Sequence, residues 1–245
     1  MKVIQFAALF LLLSTTGVYS ASVPWNDFER QQAALKFLGS KSSSFDCGRK
    51  CNHRIFGVRT VNFDDHSKKL IAVSSSDPEN NCHACAPQLS YLFYRVDQSG
   101  WELVASHVAF HYFGSWGDYP EELMSFDKIS DREALVILRF GYTGQGYTEE
   151  SITALSPSGS ALKQVLSTCS GSDNEGAIYD PATQPLISWS AEVNIASSYE
   201  PAGGQRLVFD IEDRAKGSRS NAEFNFDGKQ YRYASGDERM KNCEY

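Results

Sequence analysis

From Arg54 to Tyr233 the chain breaks into short runs of alternating apolar and polar residues separated by turn-forming clusters, and nothing else in the sequence restricts its fold so much. Ile55 to Phe63 alternates, with Phe56, Val58 and Thr60 expected on one side, and Lys69 to Val73 answers it. Leu89 to Val96 is rich in aromatics and turns at Asp97-Gln98-Ser99-Gly100 into Trp101 to Phe113. Ala134 to Tyr142 and Ser151 to Leu155 follow, and Ser156-Pro157-Ser158-Gly159 leads into Ala161 to Leu166. Leu186 to Val193, Leu207 to Ile211 and a hairpin from Ala222 to Tyr233 folded at Asp227-Gly228 complete the series. Successive hairpins of this kind predict a mainly β protein: a sandwich, a barrel or a small propeller-like array of antiparallel hairpins. The array ranks behind the other two because no self-similar period recurs. The βαβ rhythm of a nucleotide-binding sheet is absent.

One helix is expected ahead of the strands. Asn26 or Asp27 caps it, Glu29 sits in its first turn, Phe28, Leu35 and Leu38 share a face, and Gly39 stops it. The serine-rich stretch Ser40 to Ser44 then links this helix, a docking arm, to the rest. Upstream, Met1-Lys2 and the apolar run Val3 to Leu13 end in Val18-Tyr19-Ser20-Ala21, the pattern of a signal peptide cut at Ser20/Ala21. That run is too short for a bilayer crossing of about 20 apolar residues. The expected organisation is a signal peptide over 1–20, a helix and linker over 21–45, and a single β-rich domain over 46–245 without a membrane span in the mature chain. Export to the periplasm or outside the cell follows.

Export decides how the six cysteines are read. Cys47 and Cys51 are separated by three residues and Cys82 and Cys85 by two, spacings that suit a zinc site with His53 or His83 as substitutes. An oxidising compartment favours disulfides instead. A redox-active Cys82-His83-Ala84-Cys85 needs a thiol activated by a helix N-terminus or a cation, but a strand-like run follows it. Neither pair carries the histidine of a covalent haem. Three structural disulfides remain the preferred reading, with Cys169 joined to Cys243 and the other four paired within or between the two close clusters. No metal or other cofactor is expected.

The 23 basic and 30 acidic residues give a net charge of −7, and no basic cluster extends beyond Arg49-Lys50 and Lys68-Lys69. A nucleic-acid partner needs a basic face to displace counterions, so that class is set aside. An acidic surface favours cationic proteins or metal ions.

Two aromatic segments are the candidate binding surfaces. Phe110 to Glu122 offers His111, Tyr112, Trp116, Asp118 and Tyr119, although its aromatics better suit a strand end entering the core before a Gly/Pro turn. Phe140 to Tyr147 offers Tyr142, Gln145 and Tyr147 among glycines that let a backbone approach a ligand, or that make a flexible hairpin loop. It lacks the glycine order of a dinucleotide fingerprint. There is no Gly-x-Ser-x-Gly elbow, His-Glu-x-x-His or Walker loop. His107 and His111 stand four apart without a glutamate between them, and in a strand they face one side. Asp118, Glu121, Glu122, Glu149 and Glu150 are the carboxylates from which a glycosidase pair could be drawn. Asp173-Asn174-Glu175-Gly176 offers oxygen ligands without the spacing of a calcium loop.

The expectation is therefore an exported, non-enzymatic binding, inhibitory or protective protein whose partner is a protein or glycan of the cell envelope. The alternatives are an exported hydrolase using paired carboxylates, and a thiol-redox or metal-binding protein acting through Cys82 and Cys85.

Overall fold

Each alternating run pairs with its neighbour in sequence. The computed structural model describes residues 27–79, 85–112, 119, 124–130, 133–158, 161–178, 180, 182–195 and 205–241. Strands β1 (Asn52–Asn62), β2 (Ser67–Ser76), β3 (Gln88–Asp97) and β4 (Gly100–Tyr112) form one antiparallel sheet in that order. A second sheet runs through β5 (Met124–Lys128), β6 (Ala134–Gly144), β7 (Tyr147–Ser158) and β8 (Ala161–Asp173), then through β9 (Ser188–Asn194), β10 (Arg206–Asp213), β11 (Ser218–Phe226) and β12 (Tyr231–Gly236).

The eight-stranded sheet is not one flat layer. β8 and β9 pair only from Gly171↔Ser190 to Asp173↔Ser188, so the sheet folds back there. Strand alternation then gives β6 two buried faces. Ala134, Val136 and Leu138 pack with Phe56, Leu70, Leu89, Tyr91 and Phe93 of the first sheet. Leu135 and Ile137 pack with Ala191, Leu207, Phe209, Ala222 and Phe224 of the last four strands. The mainly β architecture expected from the alternation is thus built as three successive four-stranded meanders, with β5–β8 packed between the other two. Each fully buried Leu or Phe in these cores contributes about 1.5–3 kcal/mol relative to exposure.

The outer face of the first sheet is covered by α1 (Asp27–Gly39) and the turns after it. Ala34 and Leu38 of the helix, with Phe45, close over Ile71, Val73, Leu92 and Tyr94. The Lys69 ammonium lies 4.5 Å from the centroid of the Trp101 ring and 2.6 Å from the Asp27 carboxylate, tying the helix start to β2 and β4. Phe28 is a correction: it is 68% exposed, because the buried stripe of the helix begins only at Ala34. The Cys47–Cys51 disulfide fastens the segment between helix and sheet, and both half-cystines pack against this third core. Cys85 and Cys169 are disulfide-bonded as well, while Cys82 and Cys243 lie outside the described residues.

Three other departures from the alternation have physical causes. A register shift between Ile55 and Gly57 inserts Phe56 as an extra residue, which reverses the strand's faces. Val61 and Phe63 therefore join Phe56 in the core, while Thr60 is exposed. A second irregularity separates Leu89↔His111 from Tyr91↔His107, with Ala109 at φ 53, so His107 and His111 do not lie along one regular strand. β5 carries too few residues to stand out in the sequence, yet Met124 and Phe126 anchor it in the first core.

Candidate functional site

Phe140 to Tyr147 is a strand end and a tight turn rather than a loose loop. Gly144 opposes Tyr147, and the two central residues, Gln145 (φ 53) and Gly146 (φ 85), both adopt the left-handed conformation of a two-residue hairpin turn. Gly146 uses its freedom on its own chain. A β-carbon at that position would stand 2.3 Å from the Gly176 carbonyl carbon, so the hairpin tip rests on the turn Glu175–Ala177.

That turn is itself clamped. Asn174 Oδ1 accepts the Ile187 N–H at 2.8 Å, and the Asn174 amide donates to the Pro185 carbonyl at 3.1 Å. Asp173 accepts from the Ser188 hydroxyl at 2.7 Å and from the Glu175 N–H at 2.8 Å. These bonds, that from Ser188 first, hold the Asp173 carboxyl below its ordinary range. The tip is therefore placed by backbone contact and an ordered support.

Register fixes what the hairpin displays. Tyr142 opposes Glu149 and Gly144 opposes Tyr147, so these four positions share one face. Tyr142 and Tyr147 are diagonal neighbours across the pair, within reach of one another for aromatic side chains. Gly144 has no side chain, and the Tyr142 ring lies over it, its hydroxyl 2.6 Å from where a β-carbon would stand. Tyr142 is nevertheless 74% exposed and Tyr147 54% exposed. Gln145 and Glu149 are exposed beside them. The product is a flat aromatic strip with an amide at one end and a carboxylate at the other.

The remaining sequence candidates fall elsewhere. His111 and Tyr112 are at the end of β4, where their backbones pair with Leu89 and Gln88. Trp116, Asp118, Glu121 and Glu122 lie outside the described residues. Tyr119 is a core residue, not a surface one: it is 2% exposed, packs edge-on against Phe56, and donates its hydroxyl to the Arg139 carbonyl at 2.9 Å. Burial pushes its hydroxyl pKa well up. Glu149 and Glu150 are consecutive in β7 and point to opposite faces, so they do not form a carboxylate pair. Cys47 and Cys51 are consumed in a disulfide and supply no thiolates. Among the described residues no group of three or more His, Cys, Asp or Glu side chains is arranged to hold a metal ion, and no helix is long and apolar enough to cross a membrane.

Three features were not visible in the sequence, because each joins residues distant along the chain. His53 Nδ1 lies 2.8 Å from the Ser75 hydroxyl, with its ring against Phe45. Ser75 is 1% exposed on a central strand, so this dyad holds the Cys47–Cys51 segment to the sheet and offers no accessible nucleophile. His107 Nδ1 meets the Leu162 carbonyl at 3.1 Å, bridging the first two meanders. On the outer face of β9–β11 an open depression of about 460 Å³ is lined by Glu192, Asp210, Glu212, Arg214 and Arg219, among others. Glu212 is paired there with Arg214 and Arg219.

In comparison with known proteins, no family model, curated protein or solved structure matches this chain.

Proposed function

We propose that this chain is an exported, non-enzymatic binding protein, of the inhibitory or protective kind, that meets a protein or glycan of the cell envelope through the β6–β7 hairpin. The observation that carries the reading is the pair of exposed tyrosines on one face of a turn that is braced from behind. Aromatic rings bring large contact area with few rotatable bonds, and a site on a braced strand pair loses little freedom when it binds. Export is supported by the apolar leader and by the disulfide-bonded cysteines, which persist in oxidising compartments.

The test compares the full mature chain with Tyr142→Ser/Tyr147→Ser for binding to purified envelope glycans and to separated envelope proteins, alongside glycosidase and peptidase assays. Loss of binding in the variant, with an unchanged unfolding midpoint and no turnover by either protein, supports the reading. Binding that is indifferent to both tyrosines, or turnover by the wild type, removes it.

A further inference from the structure

The hairpin strip sits in an acidic neighbourhood. From Gly141 to Ser188 the sequence contains a single lysine, Lys163, and no arginine. Lys163 opposes Ser156, near the far ends of β7 and β8 from the turn. The same stretch holds Glu149, Glu150, Asp173 and Glu175, and the fold gathers these at one end of the sheet. Glu149 opposes Tyr142, and Glu150 follows it on the other face. Asp173 opposes Thr148, next to Tyr147, and Glu175 begins the turn on which Gly146 rests. Arg214 acts on Asp173 from the side of β10. It does not change the sign of this end.

Exposed tyrosine rings beside the exposed Glu149 carboxylate are complementary to one chemistry above others. A guanidinium or ammonium group stacks on the electron-rich ring face, and a carboxylate at the ring edge accepts its N–H groups. Arginine matches best, because its planar head lies flat on a ring while its fork reaches the acid. A neutral sugar could stack on the rings and donate hydroxyls to a carboxylate, but it carries no charge for the acidic end to attract. Resting on the binding reading above, we propose that the occupant of the Tyr142–Tyr147 strip is an arginine- or lysine-bearing segment of a cationic protein, seated on the two rings and directed by Glu149.

The proposal is tested with the full mature chain and three probes: a short arginine-rich peptide, a serine–glycine peptide of equal length, and a neutral envelope oligosaccharide. Titration calorimetry at low and physiological salt is read for wild type, Tyr142→Ser/Tyr147→Ser, and Glu149→Gln. The expected result is binding of the arginine peptide alone, weakened by salt, and reduced about tenfold by losing the two rings. Glu149→Gln, which keeps the side chain's shape, should weaken it as well. Undiminished binding to the tyrosine variant overturns the proposal and reduces the effect to diffuse charge. Binding of the oligosaccharide but not the arginine peptide also overturns it, while leaving the hairpin as the binding surface. If none of the probes binds, the cationic occupant is rejected, and the envelope comparison decides separately whether the hairpin binds at all.

Discussion

Gly146 and Gly176 meet backbone to backbone, with the Gly146 Cα 3.0 Å from where a Gly176 side chain would begin. Two glycines 30 positions apart thus hold the hairpin tip against the β8–β9 connection, and neither tolerates a methyl group without displacement.

Gly146→Ala should therefore cost more than its backbone angle alone explains. Gly228 has a similar φ of 92 with nothing within 4 Å of an added β-carbon, so Gly228→Ala reports the conformational cost by itself, about 1–2 kcal/mol. Gly146→Ala should exceed that by about 1–2 kcal/mol, because backbone rather than a flexible side chain must give way. Denaturant unfolding of the two variants checks the difference. Equal losses would mean that the contact carries no energy.

Trp101 receives Lys69 at 4.5 Å and the Arg30 guanidinium at 5.5 Å, and it packs edge-on against Tyr94 beneath α1. Trp101→Ala should loosen the helix before the sheets. Amide exchange from Glu29 to Leu38 should quicken while β6 and β7 remain protected. Uniform loss of protection across both sheets would contradict a local role.

Acid should weaken the C-terminal clasp. Asp237 takes hydrogen bonds from Arg239 and from the Ser220 hydroxyl, and these hold its carboxyl well below the ordinary 3.8. Asp227 is brought to about 2 by the Gln230 and Lys229 N–H groups. Both groups bind protons more readily unfolded than folded, so their stabilisation is complete above about pH 4 and fades as pH falls, through about 2 for Asp227 and lower still for Asp237. Asp237→Asn should be less stable at neutral pH and show a shallower decline across that window. An unchanged pH slope would remove Asp237 from the account.

Tyr91 is fully buried, and its hydroxyl has no hydrogen-bond partner among the described residues. Burial drives its pKa well up. Removing an unsatisfied hydroxyl returns part of its desolvation cost, so Tyr91→Phe should match or exceed wild type, by about 1 kcal/mol. A loss of stability on thermal unfolding would place a bound water at that hydroxyl.

The strands were legible because their alternation is local, and the Asp227-Gly228 hairpin formed where its turn residues stand. It closes as a four-residue loop between Phe226 and Tyr231, with Asp227 accepting two backbone N–H groups. What the sequence concealed depends on distance or on a single inserted residue. The bulge at Phe56 leaves the composition of β1 unchanged while turning Val61 inward. Tyr119 and Tyr142 look alike in an aromatic, glycine-rich context. Only the position of the first sheet decides that one ring is covered and the other left in water. The tyrosines of the hairpin could be named from the sequence, whereas their common face required the register Tyr142↔Glu149.

The three-meander stack also has two unlike ends. Its last face carries Glu192, Asp210, Glu212 and Arg219, groups that hold water and discourage another sheet from settling there. Its first face is Ile71, Val73, Leu92 and Tyr94, sheltered by a 13-residue helix. A chain clipped between that helix and β1 would keep all its strands and yet expose an oily wall shaped to receive another molecule's sheet. The helix thus covers an apolar face of the stack on which a further sheet could pack.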